Sequence, residues 1–252
     1  MEVLRHKHDV WGREVLLGIS WDLLWLILIA AFLFIAIHSL IMATRRRPRP
    51  GSSGPRLERH RPIDRWFHWV LAATVLVLIG TGVVPILGLR ISWLTWHWVA
   101  GVLLTAIVLF HIVQSLFWRD PAQMLPSARE LRDPLQKAHK PGKYSLAQKG
   151  LHAAMAFFVL VVIASGVYLM SNIRTPFWPR TNWLTEEVLG WLFVFHGLAT
   201  LGLVGLICLH IYFGLRPEKR FYTRSMLRGW ISQEEFQSEH DPELWKPDRH
   251  ED

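Results

Sequence analysis

Five long apolar stretches constrain this chain more than any other feature of its sequence. They lie at residues 21–42, 66–87, 96–118, 150–170 and 191–215, and each has the roughly 20 residues that a helix needs to cross a bilayer. A segment inside lipid must satisfy its own backbone hydrogen bonds, so stretches of this kind fold as α-helices. The sequence therefore predicts an all-α integral membrane protein with five membrane-spanning helices.

The basic residues predict how these helices are oriented. Of the 28 lysines and arginines, 22 lie in residues 45–65, 119–149 and 216–252, and 6 lie in the segments on the other side. Cytoplasmic loops carry such an excess, so we expect a periplasmic N-terminus and a cytoplasmic C-terminus in a bacterial inner membrane. An aromatic belt is expected at the outer boundary, formed by Trp93, Trp96, Trp98, Trp178, Trp183 and Trp191.

The positions of the charged residues also argue against two other interpretations, nucleic-acid binding and a cleaved signal peptide. The formal net charge of +8 follows the loop pattern and does not indicate nucleic-acid binding. The first apolar stretch is followed, not preceded, by the strongest basic cluster, which is unlike a cleaved signal peptide. We therefore predict a retained span, with its cytoplasmic end marked by Arg45, Arg46, Arg47 and Arg49.

The last apolar stretch contains two histidines, His196 and His210, fourteen residues apart. On an α-helix this spacing advances the chain by ~21 Å and leaves both side chains within about 40° of one face. Ionisable residues inside membrane spans are rare and usually functional. A neutral imidazole is a good ligand for haem iron, while the alternative role is a hydrogen bond to a neighbouring helix.

The predicted topology assigns a depth to every other histidine in a span. At the outer level, His97 is the partner available to His196, and the pair predicts a bis-histidine haem. At the inner level, His210 has three possible partners: His68, His111 and His152. Spacing alone does not choose among these three. One of the open arrangements pairs His111 with His210 and places both haems between the two helices that carry His-x13-His.

Smaller features fit the same interpretation. Cys208 is the only cysteine, which excludes an intrachain disulfide, a covalent CxxCH haem site and a cysteine-ligated iron–sulfur cluster in this chain. Any haem is therefore b-type. Gly82 and Gly101 are expected beside the flat macrocycle, and His38 is expected to make a polar contact with a neighbouring helix.

Several motifs resemble the gamma (cytochrome b) subunit of respiratory formate dehydrogenase. They are IDRWFHW at residues 63–69 followed by Thr81 and Gly82, GKYSLAQK at residues 142–149, and the His196-x13-His210 span with its basic tail. The resemblance covers residues 62–245 and extends more loosely to the cytochrome b subunits of hydrogenases and thiosulfate reductases. It implies a four-helix haem-binding bundle at residues 62–218. An N-terminal tail, an additional membrane helix and a basic linker precede it at residues 1–61, and a cytoplasmic tail follows at residues 219–252.

The resemblance also implies roles for individual residues. It pairs His97 with His196 on the outer haem iron and His68 with His210 on the inner one. His111 and His152 are left as packing or supporting residues. A quinone site is expected by the inner haem, where Ser145 and Gln148 are candidates; the family has Asn-x-Gly where this chain has Ser145 and Ala147.

The implied function is electron transfer without catalytic residues in this chain. Electrons would come from an iron–sulfur (beta) subunit, reduced by a molybdenum or tungsten catalytic subunit, and pass through two haem b groups to quinone. The whole complex could form a higher oligomer in the lipid membrane. The alternatives are a cytochrome b subunit of a nickel–iron hydrogenase or thiosulfate/polysulfide reductase, and, from another class, a haem-free membrane scaffold or transporter.

Overall fold

The structure is a computed structural model that describes residues 2–44, 51–118, 121–133 and 139–249. Its helices and strands follow one another as β1 (Leu4–His8), β2 (Glu14–Ile19), α1 (Asp22–Thr44), β3 (Arg56–Glu58), α2 (Pro62–Val83), α3 (Trp93–Trp118), α4 (Ala128–Arg132), α5 (Leu146–Met170), α6 (Glu186–Leu215), α7 (Arg220–Arg228), β4 (Trp230–Ser232) and α8 (Gln233–Glu239). Five of these helices, α1, α2, α3, α5 and α6, are long and apolar enough to cross a membrane. The predicted all-α membrane fold with five spans is confirmed. The arginine cluster at Arg45, Arg46, Arg47 and Arg49 lies outside the described residues.

The limits of α2 differ from those predicted. The helix begins at Pro62, because proline suits the first turn, where its missing N–H costs nothing. The predicted end at residue 87 was wrong: α2 ends at Val83, two residues before Pro85, and proline disfavours helical backbone in the residue that precedes it. A turn follows, in which Gly88 adopts a φ of +69° and its N–H donates to the Pro85 carbonyl.

The described residues form two compact units, and the first contains those of Met1–Ala36, Ala73–Ala106 and Ala154–Cys208. Here the N-terminal segment, for which the sequence predicted no regular element, forms an antiparallel hairpin of β1 and β2. The hairpin and α1 pack against α6. Their shared apolar core consists of Ile19, Leu24, Val194, Leu201 and Val204.

Glycines on α6 permit this close packing. A Cβ added at Gly190 would overlap the Leu16 carbonyl oxygen, and one at Gly197 would lie 2.7 Å from Ile19 Cδ1. Small residues of this kind let a second backbone approach a membrane helix. The additional helix α1 lies outside the family resemblance, and its residues up to Ala36 are packed in the first unit.

The second unit contains the described residues of Ile37–Ala72, Ile107–Ala153 and Leu209–Asp252. Residues described from sequence as a linker and a tail are folded here: β3 pairs with β4, and α7 and α8 flank the pair. Their core is formed by Leu57, Phe221, Ile231 and Phe236. The predicted polar contact of His38 is present, since its Nδ1 lies 2.8 Å from the Tyr212 hydroxyl of α6.

A buried arginine joins this folded region to the loop before α5. Arg59 is 3% exposed; its Nη1 donates to His240 Nε2 (3.0 Å) and its Nη2 to the Lys143 carbonyl (2.7 Å). Because His240 Nε2 accepts, its Nδ1 carries the proton and donates to the Gly142 carbonyl (2.7 Å). Burial, together with the neighbouring Arg59 guanidinium, lowers the pKa of His240 to about 3. The imidazole is therefore neutral in the folded protein.

This arrangement makes the stability of the second unit depend on pH. An unfolded His240 takes up a proton near its ordinary pKa of 6.5, whereas the folded one does so only near 3, so its stabilising contribution is complete above pH 6.5 and is lost as the pH falls toward 3. We expect His240→Gln to lower the melting temperature at pH 7.5, through a loss of unfolding free energy on the order of a few kcal/mol. At pH 4.5 the melting temperatures of the variant and the wild type should differ less.

Thermal unfolding of the detergent-solubilised protein at both pH values measures this difference. His8→Gln, at an exposed position of β1, is the matched control. A gap between wild type and His240→Gln that stays constant with pH would contradict the neutral buried imidazole.

Candidate functional site

His97 of α3 and His196 of α6 face each other in the first unit. Their ring centres lie 6.2 Å apart and their planes are inclined by 66°. The sequence predicted this pair from depth alone, and the structure brings the two residues together.

Each of these rings is held by a hydroxyl on a neighbouring helix. Ser165 of α5 donates to the Val161 carbonyl (2.6 Å), so its oxygen accepts from His196 Nδ1–H (2.9 Å). Thr81 of α2 donates in the same way to the Val77 carbonyl (2.7 Å) and accepts from His97 Nδ1–H (2.9 Å). A hydrogen bond at one ring nitrogen fixes the tautomer and the orientation of the ring. In both histidines Nε2 is therefore left deprotonated, as a metal ligand requires.

A glycine follows each hydroxyl and lies against the same ring. A Cβ at Gly82 would lie 3.8 Å from His97 Cε1, and one at Gly166 would lie 3.4 Å from His196 Cε1. The sequence identified Thr81 and Gly82 but missed Ser165 and Gly166. The signal was present, because His152-x12-Ser165-Gly166 repeats the spacing of His68-x12-Thr81-Gly82.

The second unit contains two further histidine pairs. His68 of α2 and His210 of α6 have ring centres 6.1 Å apart, with planes inclined by 55°. His111 of α3 and His152 of α5 have ring centres 6.3 Å apart, with planes inclined by 66°. Of the three partners that the sequence left open for His210, the structure places His68 beside it.

These separations fit an iron held between two imidazoles. A metal–nitrogen bond to imidazole is about 2 Å long, and the ring centre lies roughly 1 Å beyond that nitrogen, so two rings on opposite sides of one haem iron have centres roughly 6 Å apart. The histidines also occur in pairs: within the described ranges, no group of three or more His, Cys, Asp or Glu could hold a metal ion. A haem, which supplies four nitrogen ligands itself, suits such pairs better than zinc, which takes three or four ligands from the protein.

Ser145 and Gln148, the candidates for quinone contact, cap the start of α5. Ser145 N–H donates to Gln148 Oε1 (2.9 Å), and Gln148 N–H donates to Ser145 Oγ (3.3 Å). This reciprocal capping satisfies two backbone donors at the helix start. The next residue, Lys149, is buried and donates to Glu130 Oε2 (2.9 Å) and to the Leu125 carbonyl (3.0 Å). The loop before α5 is thus fixed from several sides.

Removal of the Ser165 hydroxyl should change both haem retention and reduction potential. Ser165→Ala removes the acceptor of His196 Nδ1–H, which makes the imidazole a weaker donor to iron. Loss of such a supporting bond typically lowers metal affinity by about 10-fold or more, and a weaker donor raises the reduction potential. We expect weaker haem retention and a more positive midpoint potential, measured by haem per polypeptide and redox titration. Unchanged values would contradict the assigned role.

Thr105→Ala is the matched control for this variant. It also removes a hydroxyl from a membrane helix, one that donates to the Gly101 carbonyl (2.9 Å). Haem retention and potential should stay at the wild-type values. Ser165→Thr, which keeps a hydroxyl, should remain close to wild type as well.

Comparison with known proteins agrees with this geometry. The sequence model of the prokaryotic cytochrome b561 family matches residues 59–229, which include α2, α3, α5 and α6 and all three histidine pairs. A search of curated proteins found no match. The chain therefore belongs to the prokaryotic cytochrome b561 family, and membership implies a membrane protein that binds haem b and transfers electrons across the bilayer.

Proposed function

We propose that this chain is the membrane-anchor cytochrome b subunit of a respiratory formate dehydrogenase. It would receive electrons from a periplasmic iron–sulfur subunit and pass them through two haem b groups to quinone near the cytoplasmic side. The observation that carries the proposal is that His97–His196 and His68–His210 each have the spacing of a bis-histidine haem, with one member of each pair on the single helix α6.

The chain's own residues hold and tune the electron carriers. When bound, each haem b supplies a centre that accepts and releases one electron. His97 and His196 supply Nε2 ligands whose orientation is fixed by Thr81 and Ser165. The surrounding apolar helices limit the access of water and hence affect the reduction potential.

The hairpin provides a surface for a protein partner on the first unit. At its tip, Val10 is 92% exposed and Trp11 is 80% exposed. Exposed apolar side chains of this size that lie side by side favour contact with another protein. The predicted periplasmic N-terminus would present this tip to the iron–sulfur subunit, which is reduced by the molybdenum or tungsten catalytic subunit.

The loop before α5 provides the surface for quinone in the second unit. Capping uses Ser145 Oγ and Gln148 Oε1 as acceptors, so the Ser145 hydroxyl proton and the Gln148 amide group can donate to a quinone carbonyl. Reduction of one quinone to quinol takes two electrons and two protons. The many basic residues of residues 119–149 and 216–252 support a cytoplasmic position for this unit, from which those protons would be taken.

Removing one ligand of the first pair tests this assignment. His196→Ala should lose one haem per polypeptide and abolish quinone reduction by the complex, while the protein still inserts in the membrane. His97→Ala should lose the same single haem, and the double variant should lose no more, because both histidines ligate one iron. The pyridine haemochrome assay on purified protein measures the count. Full haem retention in His196→Ala would refute the pairing.

His38→Ala is the control, because His38 is also an intramembrane histidine but contacts Tyr212; its haem count should equal that of wild type. The partner is tested by purifying the complex from the native membrane and measuring formate-dependent quinone reduction. Co-purification with a hydrogenase large subunit or a thiosulfate reductase would replace the formate assignment and keep the cytochrome. A folded protein without haem would support a scaffold or transporter instead.

A further inference from the structure

We propose that the third histidine pair, His111 and His152, binds a third haem b in the second unit. This goes beyond the two-haem function proposed above, in which neither residue has a role as a ligand. The inference rests on an internal repeat, on the ring geometry and on the packing around His111.

The sequence contains two copies of one helix pair. His68-x12-Thr81-Gly82 in α2 recurs as His152-x12-Ser165-Gly166 in α5. His97-x13-His111 in α3 recurs as His196-x13-His210 in α6. Every histidine in the three pairs thus has a counterpart in the other copy at the same position along its helix.

The structure preserves this correspondence in its contacts. Thr81 lies 2.9 Å from His97 Nδ1, and Ser165 lies 2.9 Å from His196 Nδ1. These two contacts are counterparts of each other in the repeat. The repeat is therefore a property of the folded first unit and not only of the sequence.

Applying the same correspondence to the second unit relates its two histidine pairs. His68 corresponds to His152, and His210 corresponds to His111. The pair His68–His210, between α2 and α6, is therefore equivalent to the pair His152–His111, between α5 and α3. A site built to hold haem in one copy is present in the other copy as well.

The ring geometry of the third pair fits the same ligand. Its ring centres are 6.3 Å apart, against 6.1 and 6.2 Å in the other two pairs. Two imidazoles joined directly by a hydrogen bond of about 3 Å would have centres roughly 5 Å apart. The observed separation is wider than that and fits two bonds to one iron between the rings.

Phe67 fixes the third pair and places it beside the second. Its ring stacks on His111 with centres 4.4 Å apart and planes inclined by 17°, and it precedes His68 in the chain. A stacked aromatic ring restricts the orientation of an imidazole as a supporting hydrogen bond does. The two pairs of the second unit are therefore neighbours, linked through one residue of α2.

Two one-electron carriers side by side would suit quinone chemistry, a consequence that rests on the proposed function. Quinone plus two electrons and two protons gives quinol. A pair of neighbouring carriers in the second unit can hold both electrons at once. Both quinone carbonyls can then be reduced to hydroxyls without a long-lived one-electron intermediate. The haem site itself requires only His111 and His152 as ligands and does not depend on that function.

Haem stoichiometry tests the inference. Purified wild-type protein should contain three haem b per polypeptide, and redox titration should resolve three one-electron components. His111→Ala and His152→Ala should each contain two, and the double variant should also contain two, since both residues ligate one iron. His68→Ala combined with His111→Ala should contain one. His38→Ala should keep all three.

A second substitution guards against loss of haem through misfolding. In His111→Met a thioether replaces the imidazole, and such ligation raises the reduction potential of a haem. We expect three haems, with one component shifted to a more positive potential. Two haems in wild type, unchanged by His111→Ala or His152→Ala but reduced by His68→Ala and His196→Ala, would overturn the third site and leave the proposed function intact. Absence of haem would overturn both.

Discussion

The structure depends on how histidine is accommodated inside an apolar helix bundle. A polar group in hydrocarbon must be bonded to another group of the protein, and here Ser165 and Thr81 accept the Nδ1 protons of His196 and His97. This bond leaves Nε2 deprotonated and oriented. The same contact therefore satisfies a buried donor and leaves a ring nitrogen that is able to ligate iron.

Helix α6 contributes both to the histidine pairs and to the close packing of the first unit. It carries one histidine of each of the pairs His97–His196 and His68–His210. It also carries glycines where other segments lie against it: Gly190 and Gly197 beside the hairpin, and Gly205 beside Ile27 of α1. Because the positions of these histidines depend on the position of α6, the packing of the hairpin and α1 against it supports the arrangement of the pair His97–His196.

In the second unit, the folded region that contains β3, β4, α7 and α8 stabilises the loop before α5. Arg59 and His240 hold the carbonyls of Lys143 and Gly142, so the loop before α5 is connected to the C-terminal segment by buried hydrogen bonds. The Ser145–Gln148 cap then starts α5, whose first turns carry His152. Buried hydrogen bonds around His240 thus hold the loop that leads into α5, the helix that carries His152.

The sequence by itself determined the five membrane helices, because hydropathy is a local property of the chain. It also predicted a depth for each histidine from helix spacing and from the distribution of basic residues. It predicted the pair His97–His196 for the same reason, since depth left one partner. The tertiary structure decided the contacts between residues that are far apart in the sequence: which histidine lies beside His210, which histidine Ser165 contacts, and the pairing of β3 with β4. These depend on how helices rotate and pack against each other. A serine in an apolar span has the same local pattern whether its hydroxyl bonds only to its own helix or also accepts from a histidine on another.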